Sequence, residues 1–131
     1  MSQENVEIVQ AGFDAFNRGD FEAMFKDAAP DFEYDLSRGV GPWRGIYGRG
    51  QVLSLVNDLV EHWERIRIEP HELIEVGEHV VAPWTMRGAG RDGIELEARA
   101  TFVWTFRNGS AVRLCLYQEL DEALKAAGLR E

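Results

Sequence analysis

Hydrophobic and polar positions change their repeat along this 131-residue chain, from helical spacing in the first half to alternation in the second. Val6, Val9, Phe13 and Phe16 recur at helical spacing through about Asn17, and Ser2, Glu4 and Asn5 supply capping chemistry ahead of them. Asn17-Arg18-Gly19-Asp20 interrupts the pattern. Gly19 suits the left-handed residue after a helix, and Asp20 suits the N-cap of the next. A short second helix over about 20–28 places Phe21, Met24, Phe25 and Ala28 on one face, and Pro30 ends it. A third, over about 50–63, carries Val52, Leu55, Val56, Leu59 and Trp63 as an apolar stripe, with Asn57, Asp58 and Glu61 opposite.

Asp31–Ser37 alternates apolar and acidic residues and reads as a strand; 38–50 is glycine-rich and reads as a loop. Two aromatics in that loop, Trp43 and Tyr47, point to a lid or rim that folds back. Arg65–Val76 opens a strand with Ile66 and Ile68 alternating, and Pro70 requires an edge or a bulge. Residues 78–119 hold three long strand-forming runs separated by Gly88–Gly93 and Asn108-Gly109. Asn-Gly between apolar runs is a strong hairpin signal, because a tight turn needs positive φ at both positions. These runs predict a strongly curved antiparallel meander. Asp121 then caps a short helix that Gly128 closes. Helices early and strands late predict an α+β fold, one domain over 1–131, with helices covering one face of a bent sheet.

Parity sorts the meander into two faces. Ala98, Ala100, Phe102, Trp104 and Phe106 share one face of the middle strand, with Val80, Ala82, Trp84 and Met86 before it. Val112, Leu114, Leu116 and Gln118 follow in the last strand. Small residues at one end and aromatics at the other suit a tapering cavity, in which Gln118 is a lone polar group needing a partner. Thr101, Val103, Thr105, Cys115 and Tyr117 share the opposite face and form a neutral-to-apolar surface that calls for a cover.

Composition narrows the function classes. A hydrophobic share of 45% against 28% charged excludes wholesale disorder. The formal net charge of −9 argues against nucleic acid and against anionic membrane surfaces, both of which need clustered cations. Cys115 is a single cysteine in a strand, read as a small buried hydrophobe, and the N-terminus has acids where a signal peptide carries positive charge. A cytoplasmic protein is the expectation. His62, His71 and His79 lack metal-ligand spacing, no glycine run matches a phosphate loop, and Ser37, Ser54 and Ser110 lack an elbow context. No metal and no cofactor are therefore expected.

Three segments together resemble SnoaL-like members (polyketide cyclase family) of the nuclear transport factor 2-like superfamily. They are Ala15-Phe16-Asn17-Arg18-Gly19-Asp20-Phe21, Val103-Trp104-Thr105-Phe106-Arg107-Asn108-Gly109 and Glu122-Ala123-Leu124-Lys125-Ala126-Ala127-Gly128-Leu129. The resemblance implies a conical fold, with three N-terminal helices on a strongly curved, mostly antiparallel sheet enclosing an apolar pocket, and a short C-terminal helix. It also implies a homodimer through the outer sheet face and a small hydrophobic ligand, with cyclic carbonyl compounds among the candidates. The expected pocket residues are Phe13, Phe16, Tyr34, Trp43, Tyr47, Val56, Leu59, Trp63, Trp84, Met86, Phe102, Trp104, Leu116 and Gln118.

The superfamily spans isomerases, cyclases, hydrolases and carriers, so the chemistry rests on individual residues. By resemblance to ketosteroid isomerases, Asp35 falls near the general-base aspartate, where an aromatic pocket would raise its pKa by desolvation. Tyr34 beside it leaves the strand's facing open, and the competing reading turns Asp35 outward. Glu119 lies near the acid/base carboxylate of SnoaL-like cyclases, with a solvated strand end as the alternative. The isomerase oxyanion donors are missing: Gly12 and Phe102 stand at the matching positions. Proton-transfer chemistry on a bound ligand is thus one expectation, and a non-catalytic binding or dimeric assembly domain is the other.

Overall fold

The computed structural model describes residues 2–39 and 44–128. Helix α1 (Ser2–Asn17) buries Val9, Phe13 and Phe16, the stripe read from the sequence. Asp20 caps α2 (Phe21–Met24) by accepting from the Ala23 N–H. This helix is a single turn, shorter than expected, because the chain turns at Phe25 and strand β1 (Ala28–Asp35) begins ahead of Pro30. Pro30 sits within the register shift of β1 between Ala28 and Glu33, where no ladder hydrogen bond is asked of it. The glycine-rich loop hides a short strand, β2 (Ile46–Gly48), antiparallel to β1. Helix α3 (Val52–Glu61) buries Val52, Leu55 and Val56.

Strands β3 (Trp63–Pro70) and β4 (Ile74–Val76) replace the single strand expected over 65–76; both pair with β5 (His79–Gly90). Strand β6 (Glu95–Arg107) and β7 (Ser110–Tyr117) complete the meander. The sheet order is β2-β1-β7-β6-β5-β3, with β1 parallel to β7 and the remaining pairs antiparallel. Asn108 (φ 53°) and Gly109 (φ 82°) form the tight turn between β6 and β7 with both φ values positive. The result is an α+β fold with a curled, unclosed sheet whose inner face packs on the helices.

Both sheet faces are buried. Val80, Ala82, Phe102, Trp104, Phe106 and Leu114 on the inner face join the residues of α1 and α3 in the main core. Val81, Val103, Cys115 and Tyr117 on the outer face form a second cluster with Ala123, Leu124 and Ala127 of α4 (Leu120–Ala126) and its C-cap. The outer patch that called for a cover is in part covered by α4 of the same chain, and Thr101 is buried as well. Glu119, rather than Asp121, occupies the N-cap position of α4, and Asp121 lies in its first turn. The rest of the outer face carries a surface ion network, in which Arg87 bridges Glu69 and Glu97.

Two side-chain latches hold the cone. β3 is an edge strand, whose outward N–H and C=O groups need covering. The Asn17 amide meets that need at Ile68, donating to its carbonyl at 2.8 Å and accepting from its N–H at 2.9 Å. The end of α1 is thereby stitched to the sheet by a residue that the sequence reads only as a helix breaker.

The second latch is Asp35. Its inward neighbour in β1, Tyr34, is in the main core, so alternation turns Asp35 to the outer face. There the carboxylate accepts from the Ser37 N–H (2.9 Å), the Ser37 hydroxyl (2.5 Å) and the Arg113 guanidinium (2.7 Å), and Arg38 lies 3.7 Å away. The pocket-facing placement with a raised pKa is thus overturned. Burial alone would raise the Asp35 pKa, but the Ser37 hydroxyl and N–H and the Arg113 hydrogen bond and charge outweigh it, and the pKa is lowered.

Two outcomes follow from these latches. Asn17→Ala leaves the Ile68 N–H and C=O without a protein partner, and denaturant unfolding should show a loss of about 1–3 kcal/mol. Asp35→Asn should cost about 2 kcal/mol near neutral pH, because it removes the charge that Arg113 and Ser37 are arranged around. With the folded pKa below the unfolded value of about 3.9, this contribution is complete above that value and is lost as pH falls through the folded one. The stability gap between wild type and Asp35→Asn should therefore be flat from about pH 8 to 5 and shrink below about pH 4. A gap that instead grew on acidification would contradict the assignment.

Candidate functional site

The inner face does not fill completely. Where β5 and β6 carry Met86, Ala98 and Ala100 opposite α3, the side chains are too small or too splayed to meet the helices. A cavity of about 250 Å3 remains between α1, α3 and the sheet. Its walls are Phe16 of α1, Val56 and Leu59 of α3, and Trp84, Met86, Phe102 and Leu116 of the meander. Ala100 pairs directly with Trp84 across β5 and β6, so the small side chain leaves the space that the indole borders. Larger concavities of about 650 and 660 Å3 lie along the β3–β5–β6 end. Charged groups such as Arg65, Arg67, Glu95 and Glu97 line the first, and Glu61, Arg91 and Asp92 the second; they are grooves of the polar surface and make poor sites for an apolar ligand.

Of the residues expected in the pocket, Phe16, Tyr34, Val56, Leu59, Trp84, Met86, Phe102, Leu116 and Gln118 stand together around this cavity. Phe13 packs behind Phe102 with ring centroids 6.3 Å apart, and Trp104 sits deeper, beside Phe32 and Phe106. Tyr47, on β2, packs against the core from the sheet edge. Trp63 belongs to one of the surface grooves. Trp43 lies outside the described residues. Glu119 is exposed at the α4 N-cap, away from the cavity walls, so the acid/base position assigned to it by resemblance is not met. Periodicity places a side chain on a face but not at a depth, which is why Phe13 and Trp104 share the inner face with cavity residues and yet fill core.

Leu36, Met24 and Ile68 also border the cavity and went unassigned, as did Gly39, Arg44 and Arg99. Ile68 carried a signal, since it alternates with Ile66; Gly39 carried none, for its role depends on the fold bringing β1's end against Leu116. A Cβ at Gly39 would stand 3.0 Å from the Leu116 side chain, so that wall admits nothing larger than glycine without displacement.

The polar side chains on the cavity walls are few: Tyr34, Gln118, the Trp84 indole and, exposed, Arg44 and Arg99. Gln118 donates from Nε2 to the Arg38 carbonyl at 2.9 Å, which ties the end of β7 to the segment after β1 and fixes the amide at the cavity edge. Tyr34 is buried between Phe25 and Phe102, at centroid distances of 6.2 and 6.1 Å, and desolvation pushes its phenol pKa well above the ordinary value. The hydroxyl therefore stays protonated across the physiological range. No Asp, Glu, His, Cys or Lys is among the described residues that line the cavity. The ionic chemistry sits on the other face, where Asp35, Arg38 and Arg113 gather beside Cys115 and Tyr117; Arg38 donates to the Cys115 sulfur at 3.4 Å and lies 4.8 Å over the Tyr117 ring. Among the described residues no three His, Cys, Asp or Glu side chains come together as a metal site, and no helix is long and apolar enough to cross a membrane.

The comparisons with known proteins agree with this architecture. An NTF2-like protein of unknown function from Burkholderia pseudomallei K96243 is 28% identical, with 98% of this chain and 99% of that one covered and a TM-score of 0.76. A second NTF2-like protein, from Burkholderia thailandensis E264, is 25% identical over 95% and 98% of the two chains, with a TM-score of 0.78. TerC, co-crystallised with polyporic acid, is 22% identical over 95% and 98%, with a TM-score of 0.77, a likeness of fold alone. No curated protein matches the chain. The model of the SnoaL-like domain matches residues 9–114, from the second half of α1 through β6 and most of β7. The chain belongs to the SnoaL-like domain family.

Proposed function

We propose that this protein binds a small, largely apolar, ring-bearing molecule in the cavity between α1, α3 and the sheet, and holds it without carboxylate acid–base chemistry. One observation carries the reading: a cavity walled mainly by aromatic and aliphatic side chains, with the exposed Arg44 and Arg99 its charged groups, has no carboxylate, imidazole, thiol or amine on its described lining. Apolar walls with a few fixed polar groups are what small-molecule sites have in common. At about 250 Å3 the space equals roughly eight water volumes, which limits the ligand to one or two rings.

Proton transfer near neutral pH needs a group whose pKa lies near the working pH and which can reach the substrate. Asp35 meets neither condition, being ion-paired on the outer face with a lowered pKa. Tyr34 reaches the cavity, but burial holds it protonated, so it acts as a hydrogen-bond donor and not as a base. The non-catalytic alternative of the two sequence expectations is the one that this arrangement favours.

A thermal-shift screen with one- and two-ring apolar compounds tests the reading. A ligand at about 100 times its dissociation constant should add roughly 2.7 kcal/mol of stability, a rise of several degrees in melting temperature. Ala98→Phe places a ring in the cavity from the β6 wall and should weaken binding at least about ten-fold. Asp35→Asn, assayed at a temperature where it is folded, should bind within about two-fold of wild type. A panel that leaves the melting temperature unmoved would sink the proposal, as would equal binding by Ala98→Phe. Turnover of a bound compound that disappeared in Asp35→Asn would restore the catalytic reading.

A further inference from the structure

Tyr34 is the buried hydroxyl among the polar groups of the cavity wall, which also include Gln118, the Trp84 N–H and the exposed Arg44 and Arg99. Its side chain is 92% buried, at 8% relative exposure, and lines the cavity. Its hydroxyl has no hydrogen-bond partner among the described residues, whereas Gln118 is tied to the Arg38 carbonyl. Among the described residues, the buried side-chain polar atoms sealed from solvent without a partner are the indole nitrogens of Trp63, Trp84 and Trp104, and the Tyr34 oxygen is not one of them. On a residue this buried, a hydroxyl that has no partner and is not sealed from solvent points to an opening on the cavity that Tyr34 lines. Its ring is held edge-on to Phe102 at 76° and tilted at 46° against Phe25, so the hydroxyl has a fixed aim. Trp84 packs against Phe102, 5.1 Å between centroids, and of Trp63, Trp84 and Trp104 it is the one that borders this cavity.

We propose that Tyr34 is the specificity-determining hydrogen-bond donor of the cavity, and that the ligand is a ring compound carrying an acceptor oxygen directed at it. This rests on the reading that the cavity binds a ligand and adds which chemistry it selects. A buried donor without a partner costs free energy, which an acceptor oxygen recovers and a hydrocarbon does not. The discrimination is therefore against ligands lacking the oxygen, because they leave the hydroxyl unpaired in an apolar wall. Burial keeps the phenol protonated, so the donor role holds over the physiological pH range. The described lining has no carboxylate to receive an ammonium group, so a protonated amine in place of the oxygen finds no partner.

Two probes of one skeleton, 1-tetralone and tetralin, separate the oxygen from the rings. Isothermal titration of both into the wild-type protein and into Tyr34→Phe gives four dissociation constants. The ratio of tetralin to tetralone should fall about ten-fold on going from wild type to Tyr34→Phe, the size expected for a lost hydrogen bond at a buried donor. A ratio unchanged within about two-fold, with both compounds still binding, overturns the role of Tyr34 and leaves the cavity reading intact. Failure of both probes to bind wild type removes the two together. If Tyr34→Phe does not fold, the infrared carbonyl stretch of tetralone bound to wild type decides. A shift to lower wavenumber than in hydrocarbon solvent supports the donor, and an unshifted band overturns it.

Discussion

The structure depends on a sheet whose central strands are buried on both faces where α4 covers them, so that there each step along a strand moves a side chain from one hydrophobic cluster to another. On β6, Phe102 and Trp104 belong to the helix-covered core, while Val103 between them belongs to the cluster under α4. On β7, Leu114 and Cys115 divide in the same way. A one-residue slip would exchange the two sets and put Arg113 into the core. The register is held against this by the Asn108-Gly109 turn and by the parallel pairing of β1 on β7, which must satisfy both faces at once.

The same constraint assigns the chemistry. Tyr34 and Asp35 are neighbours in β1 and cannot face one way; the phenol goes to the cavity and the carboxylate to the outer face. Once outward, Asp35 lies in register with Cys115 and meets Arg113, two residues earlier on the same face of β7, and with Ser37 and Arg38 it pins the segment that leaves β1. That segment also receives the Gln118 hydrogen bond through the Arg38 carbonyl. The ion cluster thus acts as framework: it fixes the chain beside the cavity without placing charge inside it.

Much of this was legible in the residues. The three-stranded meander announced itself through long strand-forming runs and an Asn-Gly turn, both of which are local signals. Alternation put Trp84, Met86, Phe102 and Leu116 on the face that holds the cavity, because parity survives any sheet curvature. What was illegible depended on contacts remote in sequence. Strand β2 exists only because β1 offers it an edge, and nothing in Ile46-Tyr47-Gly48 demands a strand. α2 is cut short because Pro30 and its neighbours are drawn into β1 by pairing with β7. Asn17 looks like a helix terminator until the fold brings Ile68 to it, 51 residues away. Asp35 was ambiguous for a different reason: the alternation of 31–37 fixed a period but not which face was the cavity's.

The cavity's electrostatics follow from the division of faces more than from composition. A chain with a net charge of −9 has acids to spare, yet the described cavity lining holds none. Desolvation explains the exclusion: an unpaired carboxylate on an apolar wall would either cost several kcal/mol or take up a proton, whereas a phenol stays neutral there at little cost. The fold satisfies its one deeply buried carboxylate, Asp35, with three hydrogen bonds and a guanidinium on the outer face. On the binding reading proposed above, such a wall would select by shape and by single hydrogen bonds, with no carboxylate among its described residues to act as a base. In ketosteroid isomerases a carboxyl of raised pKa is kept in an apolar site, whereas parity in β1 turns Asp35 of this chain to the outer face, where Ser37 and Arg113 lower its pKa.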